Sequence, residues 1–125
     1  MRILVAVVAL VLVAGCGEDE ETPASSQAPF ADLTVVVDDG SKKTSDVRCD
    51  APGDSAACQA AADMDPKTFE PVPGNQACTQ QYGGPETATV KGTLDGKEID
   101  AKFSRVNGCE ITRWDQAKAL FEAAG

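Results

Sequence analysis

Nine residues, Ala77-Cys78-Thr79-Gln80-Gln81-Tyr82-Gly83-Gly84-Pro85, join a cysteine to a short polar run and a Gly-Gly-Pro stop. If Cys78 is held in a disulfide, the run beyond it becomes an exposed, extended segment supported from behind. To a protease such a segment is a substrate, yet a staple beside the attacked bond resists separation of the two halves. The chain offers no catalytic set of its own. Histidine is absent, and no serine or cysteine stands with a base as nucleophilic catalysis requires. Carboxylates are plentiful but scattered, as solvated side chains are. The same lack of histidine, with no C-x-x-C pair, argues against zinc, and no cofactor is expected.

The elements that must position this segment begin with an exported chain. Arg2 precedes an apolar run from Ile3 to Val13, shorter than the about 20 residues a membrane span needs. The run ends in Val13-Ala14-Gly15-Cys16, which resembles a bacterial lipobox. Residues 1–15 then read as a lipoprotein signal peptide and Cys16 as the lipidated first residue. That assignment resolves the odd count of five cysteines, leaving Cys49, Cys58, Cys78 and Cys109 as two disulfides. Spacing alone leaves three connectivities open. The expected location is the outer face of the bacterial cytoplasmic membrane. With 20 Asp and Glu against 11 Lys and Arg, and a net charge of −9, nucleic acid is excluded as a partner.

Residues 16–31 read as a flexible acidic tether, because Glu, Asp, Ser, Thr, Pro and Ala cannot bury enough surface to order themselves. The domain proper begins near Phe30, and its bounds are set at 32–125. Leu33 to Val37 is a β-branched strand running into Asp38-Asp39-Gly40, and Thr44 to Cys49 runs back antiparallel to it. Ser55 to Met64 is an alanine-rich helix with Asp54 or Ser55 as its N-cap, stopped by Pro66. Residues 66–85 carry no periodicity, and a run of that length in a compact domain is usually functional. Thr87 to Leu94 and Lys97 to Phe103 flank Asp95-Gly96, the signature of a hairpin with a type I′ turn. A last helix is expected over Thr112 to Ala124, capped at Thr112, with Trp114, Ala117, Leu120 and Phe121 facing the core. The sum is an α+β fold: an antiparallel sheet packed against two α-helices.

These elements occur in the order found in the Streptomyces subtilisin inhibitor family, and from Leu33 to Phe121 the chain resembles that family. The resemblance rests on LTVVV, the cysteine order, ACTQQYGGP, the VKGTLDGKEIDAKF hairpin and FSRVNGCE. It implies pairing of Cys49 with Cys58 and of Cys78 with Cys109. It also implies a reactive-site loop over Ala77, Cys78, Thr79, Gln80, Gln81 and Tyr82, with Gln80–Gln81 as the scissile bond. The segment would add as a strand to an enzyme's cleft and place the Gln80 carbonyl at the oxyanion hole. The bridge would keep the loop in its bound shape, and retention of the Gln81 amine would favour religation over hydrolysis. Asn107 is a candidate loop support through its side chain, equally readable as part of an Asn-Gly turn.

Several residues depart from the family pattern. Thr79 stands where proline is common, its hydroxyl available for a local tie. Gln80 stands where Met or Lys is common, which suits broad subtilisin-type pockets better than trypsin's. The loop is one residue longer after Tyr82, where Gly83-Gly84 precede Pro85, and the extra glycine is expected to soften its clamp. The implied function is a lipid-tethered inhibitor of extracellular subtilisin-like serine proteases, with homodimerisation through the sheet as a further implication. Two other roles fit the same residues. One is a cell-surface interaction lipoprotein that keeps the fold without inhibiting; the other uses Gln80 and Gln81 as amine acceptors for a secreted transglutaminase.

Overall fold

The computed structural model describes residues 28–125. The signal peptide, the lipidation of Cys16 and the tether up to Gln27 lie outside the described residues. Strands β1 (Ala31–Asp38), β2 (Lys42–Cys49), β3 (Thr87–Leu94) and β4 (Lys97–Phe103) form one antiparallel sheet in the order β2-β1-β3-β4. Helix α1 covers Ala56–Asp63 and helix α2 covers Gly108–Ala124. The fold starts slightly earlier than the sequence boundary at 32. Ala31 is fully buried, and the Phe30 carbonyl accepts a hydrogen bond from Asp95 N at 2.7 Å.

Alternation decides which face of the sheet is wet. Ala31, Leu33 and Val35 of β1 are buried together with Val47, Cys49, Ala88, Val90, Ala101 and Phe103. Their neighbours Asp32, Thr34, Asp46, Arg48, Lys91 and Asp100 are exposed on the other face. Ala57, Cys58 and Ala61 from α1 and Ala117, Leu120 and Phe121 from α2 belong to the same core cluster as the buried strand residues. The Phe121 ring meets Phe103 edge-on at 5.2 Å and Trp114 at 4.9 Å. Trp114 itself is half-buried.

Local signals explain most element ends. Asp95 and Gly96 both take positive φ, 49° and 79°, as a type I′ hairpin turn demands. The Ser55 hydroxyl accepts from Cys58 N at 3.1 Å, so Ser55, not Asp54, caps α1. Asp54 instead accepts from Asp50 N and Ala51 N, closing the corner before the helix. Helix α2 differs from the sequence reading. It begins four residues before Thr112, with Asn107 as N-cap, and Thr112 lies inside it with its hydroxyl donating to Gly108 O at 3.0 Å. The Asn107 side chain and Glu110 at the third helical position form the start signal.

Among the described residues, the charged side chain of Arg113 belongs to the interior. The Arg113 guanidinium donates to Thr68 O at 3.0 Å and to Lys102 O at 3.0 Å, and pairs with Glu110 at 3.2 Å. It also lies 4.6 Å from the centroid of the Phe103 ring. Thr68 and Phe69, buried in the 3-10 turn Pro66–Phe69, thereby anchor the start of the long loop to α2.

The candidate reactive loop and its clamp

From Pro71 to Pro85 the chain contains no strand or helix, so its shape depends on ties to other elements. Its ties reach the stretch that joins β4 to α2 and opens that helix. The bridge Cys78–Cys109 has a Cα–Cα distance of 5.3 Å, and Cys109 sits in the first turn of α2. Next to it, Gly108 N donates to Thr79 O at 3.1 Å. Three residues beyond the candidate scissile bond's first residue, Gly83 N donates to Arg105 O at 2.7 Å. Between these two hydrogen bonds lie Gln80, Gln81 and Tyr82, all exposed and making no backbone hydrogen bond to another described residue.

The close approach at both ends depends on glycine. A Cβ on Gly108 would collide with Thr79 Oγ1, and one on Gly83 would press on Ile111 and the Cβ of Arg105 at 3.0 and 3.1 Å. Gly83 is therefore a point of attachment. Behind it, Arg105 forms a half-buried ion pair with Glu86 at 3.1 Å.

Two of the sequence expectations shift by one group. Asn107 does not reach the loop with its side chain; its Oδ1 accepts from Glu110 N at 2.9 Å and caps α2. Support comes instead from the backbone N–H of the next residue, Gly108. Thr79 likewise contributes its carbonyl, while its hydroxyl lies against Gly108. Ala77, Cys78, Thr79, Gln80, Gln81 and Tyr82 are otherwise brought together as one exposed arch over Arg105 to Cys109.

The second bridge, Cys49–Cys58, ties the end of β2 to α1 at a Cα–Cα distance of 5.8 Å and lies in the core. Both cysteine pairings implied by the resemblance are thus present. Sequence reasoning missed Arg105 and Gly83 as clamp residues and Arg113 as the anchor at the loop's root. The Asn107-x-x-Glu110 spacing was the available signal for the helix that carries Cys109 and Arg113.

Large apolar side chains exposed among the described residues are Tyr82, on the arch, and Val106, in the stretch that clamps it. Val106 shares a cavity with Pro71, Val72 and Pro73 of the incoming arm. The described residues hold no group of three or more His, Cys, Asp or Glu placed to bind a metal ion. Comparison with protein-family models, curated proteins and solved structures finds no match to this chain.

Proposed function

We propose that this chain inhibits extracellular subtilisin-like serine proteases by presenting Gln80–Gln81 as a substrate bond that is cut slowly and rejoined. The observation that carries this reading is the double attachment of the arch. Thr79 O and Gly83 N, on either side of the candidate bond, are both hydrogen-bonded to the short stretch Arg105–Gly108, with Cys78–Cys109 beside them. Cleavage between Gln80 and Gln81 would leave each new end held by its own tie. The Gln81 amine would stay near the acyl carbon, so religation competes with hydrolysis. Holding the arch before binding also reduces the ordering cost of docking.

The surroundings support the reading in two ways. The exposed apolar groups Tyr82 and Val106 gather at the arch, where a protein partner would cover them. The chain also enters the fold at Phe30 and Ala31, beside the β3–β4 turn, whereas Gly83 and Arg105 lie past the opposite ends of β3 and β4. Strands of this length separate the two ends by roughly 25 Å. A lipid on Cys16 would hold the domain by the end remote from the arch, on the outer face of the membrane. A sheet-to-sheet homodimer, if formed, would join the charged face bearing Asp32, Asp46, Arg48 and Lys91 and would be a wet interface.

The test is titration of subtilisin with the domain, followed by mass analysis of the recovered inhibitor. Stoichiometric inhibition with an intact or slowly nicked Gln80–Gln81 bond is expected, and Gln80→Lys should then recruit trypsin. Rapid digestion without inhibition would sink the proposal in favour of a surface interaction lipoprotein.

A further inference from the structure

We propose that Asn107–Gly108 is a deamidation site shielded by the arch, and that opening the arch starts its conversion. An asparagine followed by glycine is chemically labile because the next backbone nitrogen meets no Cβ as it approaches the side chain. Gly108 N attacks Asn107 Cγ, forming an N–Cγ bond while the Cγ–Nδ2 bond breaks. Ammonia leaves with the proton that Gly108 N gives up. One water then opens the ring on either side, giving aspartate or isoaspartate; no oxidant or other co-reactant is needed.

Both reacting groups are occupied in the structure. Gly108 N–H donates to Thr79 O at 3.1 Å, and Asn107 Oδ1 accepts from Glu110 N at 2.9 Å. The Asn107 backbone is fixed in an extended conformation, φ −155° and ψ 175°, by its place at the helix start. Attack therefore requires the cap to turn and the Gly108 hydrogen bond to break. The labile pair is where it is for structural reasons. Asparagine caps α2, and glycine alone leaves room for Thr79, since a Cβ would strike its hydroxyl.

The shield is tied to the arch because its acceptor, Thr79 O, belongs to the residue just before Gln80 and just after the bridged Cys78. Opening the bridge frees Thr79 to move away, and Gly108 N–H then loses its acceptor. Isoaspartate formation reroutes the backbone through the former side chain and adds a methylene before Gly108. That displaces Gly108 N from Thr79 O and disturbs the cap, so an arch once opened cannot be clamped again. The inference concerns the arch alone and stands whether or not the arch inhibits a protease.

The experiment compares the oxidised full chain with a Cys78→Ser/Cys109→Ser chain at mildly alkaline pH. Ammonia release is followed, and peptide mapping locates amide-to-acid conversion and isoaspartate at residue 107. Loss of one hydrogen bond's protection predicts conversion about tenfold faster in the opened chain, the rate equivalent of roughly 1.4 kcal/mol. Equal rates in the two chains, or no conversion at residue 107 in the opened one, would overturn the proposal. Asn107→Ser, which retains a capping oxygen, should abolish the signal. Should Trp114 fluorescence show that the double variant has lost its core, both chains are compared in a stabilising osmolyte that restores the native fluorescence, and the same two outcomes decide.

Discussion

The two disulfides place the same bond in two very different regions. Cys49 and Cys58 are 0% and 1% exposed, join β2 to α1 across 9 residues, and lie among core side chains. Cys78 and Cys109 are half-buried, span 31 residues, and hold a loop with no strand or helix of its own. Around the first bridge, burial and backbone ladders already specify the structure, and the covalent bond adds to them. Around the second, the bond and two hydrogen bonds specify the shape of the arch. One bridge stabilises a fold; the other holds a conformation.

That contrast predicts the largest effect. Removing Cys78–Cys109 by paired serines should cost about 3–4 kcal/mol in the chain-entropy picture, and removing Cys49–Cys58 about 2–3 kcal/mol. Protease inhibition should separate the two far more sharply. The Cys78→Ser/Cys109→Ser chain is expected to be digested at the arch and to lose inhibition by about 100-fold or more, about 2.7 kcal/mol of lost preorganisation. A Cys49→Ala/Cys58→Ala chain should inhibit normally below its lowered melting temperature. Inhibition constants and denaturant melts on both chains check this, and equal losses of inhibition would erase the distinction.

Arg113 sharpens the comparison from inside. Its side chain is largely buried, bound to two backbone carbonyls and to Glu110, and it roots the loop where Thr68 leaves the core. Arg113→Met keeps the stem but strands Glu110 and both carbonyls, a loss of about 3 kcal/mol. Thermal unfolding should show it. If the loop is rooted there, proteolysis between Pro71 and Gln76 should also increase below the melting temperature.

How far these regions could be read from sequence follows from where their ties run. The β3–β4 hairpin was legible because Asp95-Gly96 determines its turn locally, and α1 because Ser55 and Pro66 mark its limits within one segment. The exposed arch was legible from composition, and its bridge from resemblance. The start of α2 was not, because glycine after asparagine reads as a turn and the apolar periodicity resumes only at Trp114. Arg113 was hidden because its partners, Thr68 O and Lys102 O, are backbone atoms brought near only by the tertiary fold. The hydrogen bonds from Gly108 to Thr79 and from Gly83 to Arg105 join backbone atoms, and their one mark in the sequence is a glycine, which does not say what it approaches.

Gly108→Ala probes the contact directly and should act on the arch more than on the fold. The new methyl group must displace Thr79, so inhibition is expected to weaken by about tenfold, or 1.4 kcal/mol. The melting temperature should move little, because alanine suits the first turn of α2 better than glycine does. A large loss of stability with unchanged inhibition would show that Gly108 serves the helix and that the arch tolerates its neighbour.

Asn107 separates the helix from the arch with the smallest perturbation. Its oxygen serves Glu110 N, and the loop hydrogen bond comes from Gly108, so truncating the side chain removes a cap and leaves the clamp donor in place. Asn107→Ala should cost about 1 kcal/mol of stability, and Asn107→Ser should recover most of it. The first turn of α2 carries both Cys109 and Gly108, and the bridge keeps that turn beside the arch even when its cap is lost. Inhibition should therefore fall by less than about threefold, under roughly 0.7 kcal/mol, in Asn107→Ala. A serine variant that regains stability but not inhibition would mean that the asparagine side chain touches the arch after all, and the division between cap and clamp would have to be redrawn.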